Sequence, residues 1–450
     1  MKKTIKFFVL FVAASFILAA CSSPVGGGKG GSGIGSGGSG SGEAILTLYL
    51  RSNNRAAWPP DTATQDQLTH VITFTDPNNT ATTIRPPQGT TVIEQSVSPG
   101  IWKIEIQAYL SGSLYAEGSS EADIRAGQNN TVTIAMHLPG YIPIFNQQDL
   151  KAIASNRASR QKNYMLMNDI TLDAPIGSDD EPFYGILDGN RKEIRLNFNT
   201  DQPYIGLFAS IQNEPTLGPD SGTVKNLKLT GSITLDDPIE NFTVGSVAGL
   251  NSGTIQNVSA NVAINIINSD TSWAGGIVGY NYGTIKNCYN RADISAHADM
   301  SSYAGGIVGQ NDWIVEYCWA EGLVKATYGG GLGSYAGGIA GSNDTSGSIS
   351  NCVALNSNVQ YSGGDARRIA GSGSTGLTSN YGNMDMQRNG VTNSLYWTNN
   401  PTSNDGGNID STSFTTVTWW NSIWGSVWGS EENTPWQWNT GAGRPKLWFE

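Results

Sequence analysis

The stretch Ala274-Gly275-Gly276-Ile277-Val278-Gly279-Tyr280-Asn281 is written again as Ala304-Gly305-Gly306-Ile307-Val308-Gly309-Gln310-Asn311 and as Ala336-Gly337-Gly338-Ile339-Ala340-Gly341-Ser342-Asn343. Marked by its last glycine, the phrase stands at Gly249, Gly279, Gly309, Gly341 and Gly371. So regular a spacing, about 30 residues, predicts a stacked array whose units touch only their neighbours. Only 14% of the 450 residues are charged, and the richness in Gly, Ser, Thr and Asn favours turn-dense β-structure over long helices.

In a parallel β-helix, coils stack at about 4.8 Å, so each position must tolerate its own copy above and below. On that reading Gly275 and Gly276 permit a tight turn or a close approach, while Ile277 and Val278 fill the core. Asn281 with Gly283 fits a turn that holds residues at positive φ. Trp273, Tyr303 and Tyr335 recur just before the glycines and are expected to stack in a column, in preference to forming a sugar platform. We expect a right-handed helix of eight or nine coils from about residue 145 to 410, roughly 40 Å long.

The same residues resemble the GLUG-motif family, known from N-terminal portions of some bacterial immunoglobulin A peptidases and from many surface proteins. The likeness is carried by Gly275 to Cys288, with copies at Gly245 to Val258 and Gly305 to Cys318. Asn168-Asp169-Ile170, Pro175-Ile176-Gly177 and Leu187-Asp188-Gly189-Asn190 resemble the lead-in to such repeats. Two places depart from the pattern. Arg367 and Arg368 replace the paired glycines, and Trp313-Ile314-Val315 replaces Gly-Thr-Ile, so distorted coils are expected there, as functional sites or as terminal wear.

Before the array, Leu46, Leu48 and Leu50, then Trp102, Ile104 and Ile106, then Val132, Ile134 and Met136 each alternate with more polar or smaller residues, predicting half-buried strands. Ala44 to Leu138 reads as a small antiparallel β-sandwich. Ser98 to Ile104 resembles immunoglobulin-like or prealbumin-like modules, for which a spacer role is favoured over carbohydrate binding. From Phe145 a short helix with Leu150, Ile153 and Ala154 on one face is expected to cap the open coil end.

At the N-terminus Lys2, Lys3 and Lys6 precede the apolar run Phe7 to Ala20, a secretory signal too short for a membrane span. Leu18-Ala19-Ala20-Cys21 resembles the lipobox of bacterial lipoproteins. That resemblance implies acylation of Cys21, a membrane attached through that lipid, and, with Ser22 following, an outer-membrane location at the cell surface. Gly26 to Gly42, nearly all Gly and Ser, makes a tether with a reach of roughly 21 to 25 Å. The expected organisation is 1–20 signal, 21–42 lipidated cysteine and linker, 43–139 sandwich, 140–410 β-helix, and 411–450 a tryptophan-rich C-terminal cap.

The formal net charge of −11, without a basic run, argues against nucleic acid or anionic lipid as a partner. Apart from Cys21 the cysteines are Cys288, Cys318 and Cys352, an odd number at equivalent repeat positions. With no histidine beside them they read as a buried column, not a metal site. The chain contains three histidines and no His-Glu-x-x-His, so the peptidase activity of proteins sharing these repeats is not expected here. Asp179, Asp180, Glu181 and Asp188 read as solvated carboxylates before catalytic ones, and neither Asp179 with Asp180 nor Asp405 with Asp410 has calcium-loop spacing. No cofactor, metal or catalytic residue is expected.

Seven tryptophans fall between Trp419 and Trp448. A cap over apolar coil ends is the first reading, and a glycan or protein site centred on Trp424 and Trp428 is the second. The function expected is a non-enzymatic, monomeric surface adhesin or binding scaffold for a host or envelope glycan or protein. The alternative is a carbohydrate-active β-helix enzyme, a lyase or hydrolase.

Overall fold

In the regular coils five short strands make one turn. The chain runs through Thr271–Gly275, Val278–Asn281, Thr284–Lys286, Tyr289–Asn290 and Ile294–Ala298. It then repeats the circuit at Ser301–Gly305, Val308–Asn311, Ile314–Glu316, Trp319–Ala320 and Val324–Tyr328. Every ladder between successive coils is parallel and in register, so Trp273 pairs with Tyr303, Tyr303 with Tyr335 and Tyr335 with Asp365. The computed structural model describes residues 43–50, 62–237 and 241–450, and the signal segment, Cys21 and the Gly/Ser tether lie outside the described residues. Along one face, nine strands stack among the described residues, from Tyr141–Ile144 through Asn163–Leu166, Ile186–Asp188 and Thr223–Asp236 to Leu377–Thr378. At the usual spacing that column is about 38 Å long.

Glycine is required where backbones nearly touch. A Cβ on Gly275 would lie 2.0 Å from the Val278 carbonyl oxygen, and one on Gly279 would lie 2.5 Å from the Val244 nitrogen. None of Gly275, Gly276 and Gly279 has positive φ, so close approach, not turn geometry, is their reason. The strands before and after the paired glycines thus fold back on each other as a narrow wedge.

Asn281 departs from expectation. It joins a buried ladder in which the amide Nδ2 of Asn251, Asn281 and Asn311 donates to the Oδ1 of the next asparagine at 2.8, 2.8 and 2.7 Å. Each Oδ1 also accepts from the backbone N–H two residues on, at 3.1 Å for Gly253 and 3.2 Å for Gly283. The left-handed residues are instead Asn226, Asn257, Asn287, Tyr317, Asn351 and Ser379, with φ between 52° and 55°. Asparagine tolerates this region best, which explains its recurrence just before the cysteine column. Cys288, Cys318 and Cys352 are buried in the main core, each thiol facing the carbonyl two residues earlier at 3.1 to 3.3 Å. Burial pushes the Cys318 thiol well above its ordinary pKa.

The expected distortion at Trp313 does not occur. Ile314 and Val315 keep the register of Thr284 and Ile285, Asn311 still caps the turn, and Trp313 projects outward, half exposed.

The sandwich packs Ala44–Tyr49, Val92–Val97 and Asn129–Val132 against Ala81–Ile84, Thr69–Thr75, Gly100–Leu110 and Ser113–Ile124, around a core that includes Leu46, Leu48, Ile104 and Ile106. It is not wholly antiparallel, because Ala44–Tyr49 and Asn129–Val132 pair in parallel. The expected strand through Met136 ends at Val132. Residues 133–136 leave that sheet, and His137 bridges to Glu117 beside the other.

At the start of the solenoid, Asn146 caps the helix Gln147–Lys151 by accepting from the Gln148 and Asp149 N–H groups. Leu150 and Ile153 seat in the solenoid core with Ala154 against it, as an end cover requires.

Candidate functional site

The asparagine ladder and stacked rings of the regular coils are engaged with their own copies, although Asn257, Ser259, Ser272, Trp319 and Asn356 each keep a buried side-chain atom without a partner among the described residues; the side chains that depart from the repeat lie where it stops. Two regions qualify, the tryptophan-rich C-terminus and the last coil.

The C-terminal segment does not cover the coil end. It runs along the flank of the solenoid, over the outward row Tyr289, Trp319, Val353 and Tyr381. An uncovered row of that size would be a large apolar patch, and large flat side chains fill the space above it. Trp419 meets Tyr381 edge-on at 5.3 Å. Trp436 Nε1 donates to Asn287 Oδ1 at 3.3 Å, and the Tyr289 hydroxyl donates to the Glu450 carboxylate at 2.6 Å. Nearer the start of the solenoid, Glu432 pairs with Lys225 at 2.7 Å, and the Arg191 guanidinium lies 3.9 Å from the Trp448 ring centre. This strap therefore reaches from the coil of Arg191 to the coil of Tyr381.

Trp424 is corrected by this arrangement. It is fully buried, its ring 4.7 Å from Trp420 and 4.9 Å from Trp436, and its Nε1 donates to the Asn351 carbonyl at 2.7 Å. It has no surface to offer a ligand. The helix Val417–Trp424 ends at that residue, so Trp424 and Trp428 do not share a helical face. Trp428 is half-buried against the same cluster, with its Nε1 unpartnered among the described residues.

The open end of the solenoid is closed by residues 384–409, which bring Met386 and Trp397 into the core. Here Arg368 occupies the position of Gly276, Gly306 and Gly338 and turns its side chain inward. The guanidinium is buried and donates to the carbonyls of Asp405, Gly382 and Gly406 at 2.8, 2.9 and 3.0 Å. Burial lowers its pKa to about 10, against the opposing charge of Asp405, so it remains cationic at neutral pH. Space for it is made by Gly382, which stands where the preceding coils carry Ala320 and Ala354; a Cβ there would fall 2.8 Å from the Arg368 side chain. The expected distortion at Arg367 and Arg368 is a built terminus with matched residues.

Beside it the wedge opens into a cleft of about 390 Å³ lined by Tyr335, Asp365, Arg367, Ser372, Asn404 and Asp405 among others. Arg367 replaces Gly337 of the coil before and donates to Asp365 at 2.8 Å and to Asp405 Oδ2 at 3.3 Å. Arg388 also engages Asp365. Asp405 is buried; its Oδ2 accepts from the Thr398 N–H at 2.8 Å, while Oδ1 has no partner among the described residues. The substitutions at 367 and 368 were visible in the sequence; Asp365 was not singled out, although it breaks the aromatic row.

The other acidic residues are dispersed. Glu181 pairs with Arg160 at 3.2 Å. Asp188 is buried beside Lys225 at 3.7 Å, and burial raises its pKa while Lys225 opposes the shift. Asp410 caps the helix Ser411–Phe414 by accepting from the Ser413 N–H. Among the described residues no cluster of three or more His, Cys, Asp or Glu side chains is placed to hold a metal.

Comparison with curated proteins and with solved structures finds no match. The model of the GLUG motif matches residues 274–295, the coil whose wedge, asparagine ladder and cysteine column are described above, and that coil carries the motif.

Proposed function

We propose that the protein is a lipid-anchored envelope scaffold that presents its last coil for binding and catalyses no reaction. One observation carries this reading: the repeat breaks at Asp365, Arg367 and Arg368, and a cleft with charged residues in its walls opens at that place. In the coils before it the ladder from Asn251 to Asn343 and the rings from Trp273 to Tyr335 are engaged with their own copies. The leader with Lys2, Lys3 and Lys6, the Cys21 lipobox and the Gly/Ser tract support attachment to the outer membrane with the body held clear of it. Among the described residues no helix is long and apolar enough to cross a membrane.

A carbohydrate-cleaving enzyme is the second reading, because two carboxylates, Asp365 and Asp405, lie in the cleft. Arg367 engages both, an ion cluster rather than an acid and a base flanking a bond. Incubation with host and envelope glycans separates the readings, since chain shortening would establish the enzyme.

Anchoring is tested at Cys21. A Cys21→Ala variant is expected to lose metabolically incorporated acyl label, and equal labelling of variant and wild type refutes the lipobox assignment. Protease added to intact cells is expected to degrade the protein; protection until the envelope is lysed would move it to the periplasm.

A further inference from the structure

The aromatic column stops one ring short of the cleft. Trp273 and Tyr303 stack at 6.0 Å with 3° between their planes, and Tyr303 and Tyr335 at 5.4 Å with 13°. Tyr303, the interior ring, has a ring on each face. In the next row the residue in register with Tyr335 is Asp365, whose carboxylate is drawn to Arg367 and Arg388, and no further ring stacks on Tyr335 among the described residues. Tyr335 lines the cleft, and the fourth place in the row holds the shorter side chain of Asp365, which also lines it.

We propose that this cleft binds one neutral pyranose residue of a glycan, its apolar C–H face stacked on Tyr335 where the column breaks off. The proposal rests on the reading of the last coil as a binding site and names what it binds. A pyranose is the size of the missing ring and carries hydroxyls around its edge. The walls supply matching groups: the Arg367 guanidinium and Asn404 amide as donors, and Asp365 and Asp405 as acceptors. The unpartnered Asp405 Oδ1 is a buried carboxylate oxygen lacking a donor, a condition that a ligand hydroxyl relieves. Charge selects the neutral sugar. Arg367 is already held by two carboxylates, so an acidic sugar would place a third beside them. The cleft volume lies within the roughly 300 to 1,000 Å³ typical of small-ligand sites.

The test uses the full chain solubilised in detergent, an array of neutral and acidic oligosaccharides, and titration calorimetry with methyl glycosides of the hits. Saturable binding of a neutral saccharide is expected. It should weaken at least about tenfold in Tyr335→Ala and in Asp405→Asn, persist in Tyr335→Phe, which keeps the ring, and be unchanged in Trp273→Ala at the far end of the column. Thermal melts of all variants separate lost binding from lost folding, and Tyr335→Phe remains informative if Tyr335→Ala does not fold. Unchanged affinity in a folded Tyr335→Ala, selection of acidic sugars alone, or no neutral saccharide bound at millimolar concentration overturns the proposal. In that last case, capture of a protein ligand abolished by Arg367→Ala would leave the scaffold reading standing. Shortening of the bound glycan would sink the scaffold reading itself.

Discussion

In the coils between Thr271 and Tyr361 a side chain has a near-copy of itself above and below; in the coil from Gly364 to Arg388 it has a copy on one side and a loop on the other. The difference shows in the residues chosen. Where the copy must fit on both sides, the positions hold glycine against backbone, asparagine against asparagine and ring against ring. Where one side is free of that demand, the same positions hold Arg368, Gly373 and Asp365. A repeat cannot place a long charged side chain in its interior, because every coil would have to bury one; the terminal coil can, and uses it to satisfy the carbonyls of the closing loop.

The strongest way to break this contrast is to force a terminal-type side chain into the array. A Cβ on Gly306 would lie 2.1 Å from the Gly338 carbonyl oxygen and 2.6 Å from Ala320 Cβ. Gly306→Val should therefore lose about 3 kcal/mol, the upper end of overpacking effects, as read by denaturant unfolding. Unchanged stability would show that the wedge is looser than its glycines imply.

A second experiment returns the last coil to the repeat pattern. Arg368→Gly leaves three carbonyls without their donor, and Gly382→Ala crowds the arginine, so each should destabilise by about 2 kcal/mol. Combined, the two changes restore the Gly338 and Ala354 pairing of the coil before. A favourable coupling of about 1 kcal/mol in the double-mutant cycle is expected, and strict additivity would mean that Arg368 and Gly382 are not matched.

The smallest of these effects belongs to the asparagine ladder. Asn311→Ala removes the donor to Asn343 and the acceptor for Asn281, both buried, and should cost about 1 to 2 kcal/mol without altering the coil register. An effect within experimental error would make the ladder incidental to stability.

The extent to which all this was legible varies with the range of the contacts. The phrase around Gly276 announces the solenoid because each residue's environment is a translated copy of itself, and a period in sequence becomes a period in space. The pairing of Trp273, Tyr303 and Tyr335 follows from the same rule. Positive φ did not follow, since Asn281 and Asn287 recur alike and only backbone geometry distinguishes the ladder from the left-handed turn. The strap was legible only as a concentration of tryptophan. Its place was hinted at by Tyr289 and Trp319, which must point outward if Cys288 and Cys318 point inward and so need a cover.

What the sequence by itself determined is most of what self-contact between coils governs: the parallel stack, its core columns and its aromatic row. Only the tertiary structure decided where the non-repeating parts go. It laid residues 411–450 along the flank, buried Trp424, set Gly382 opposite Arg368 and left Tyr335 in the wall of a cleft beside the charged residues of the last coil. The physical reason is that a repeated residue meets its own kind at a fixed offset, whereas a residue used once meets partners at no regular separation, and that pairing is written only in the folded chain.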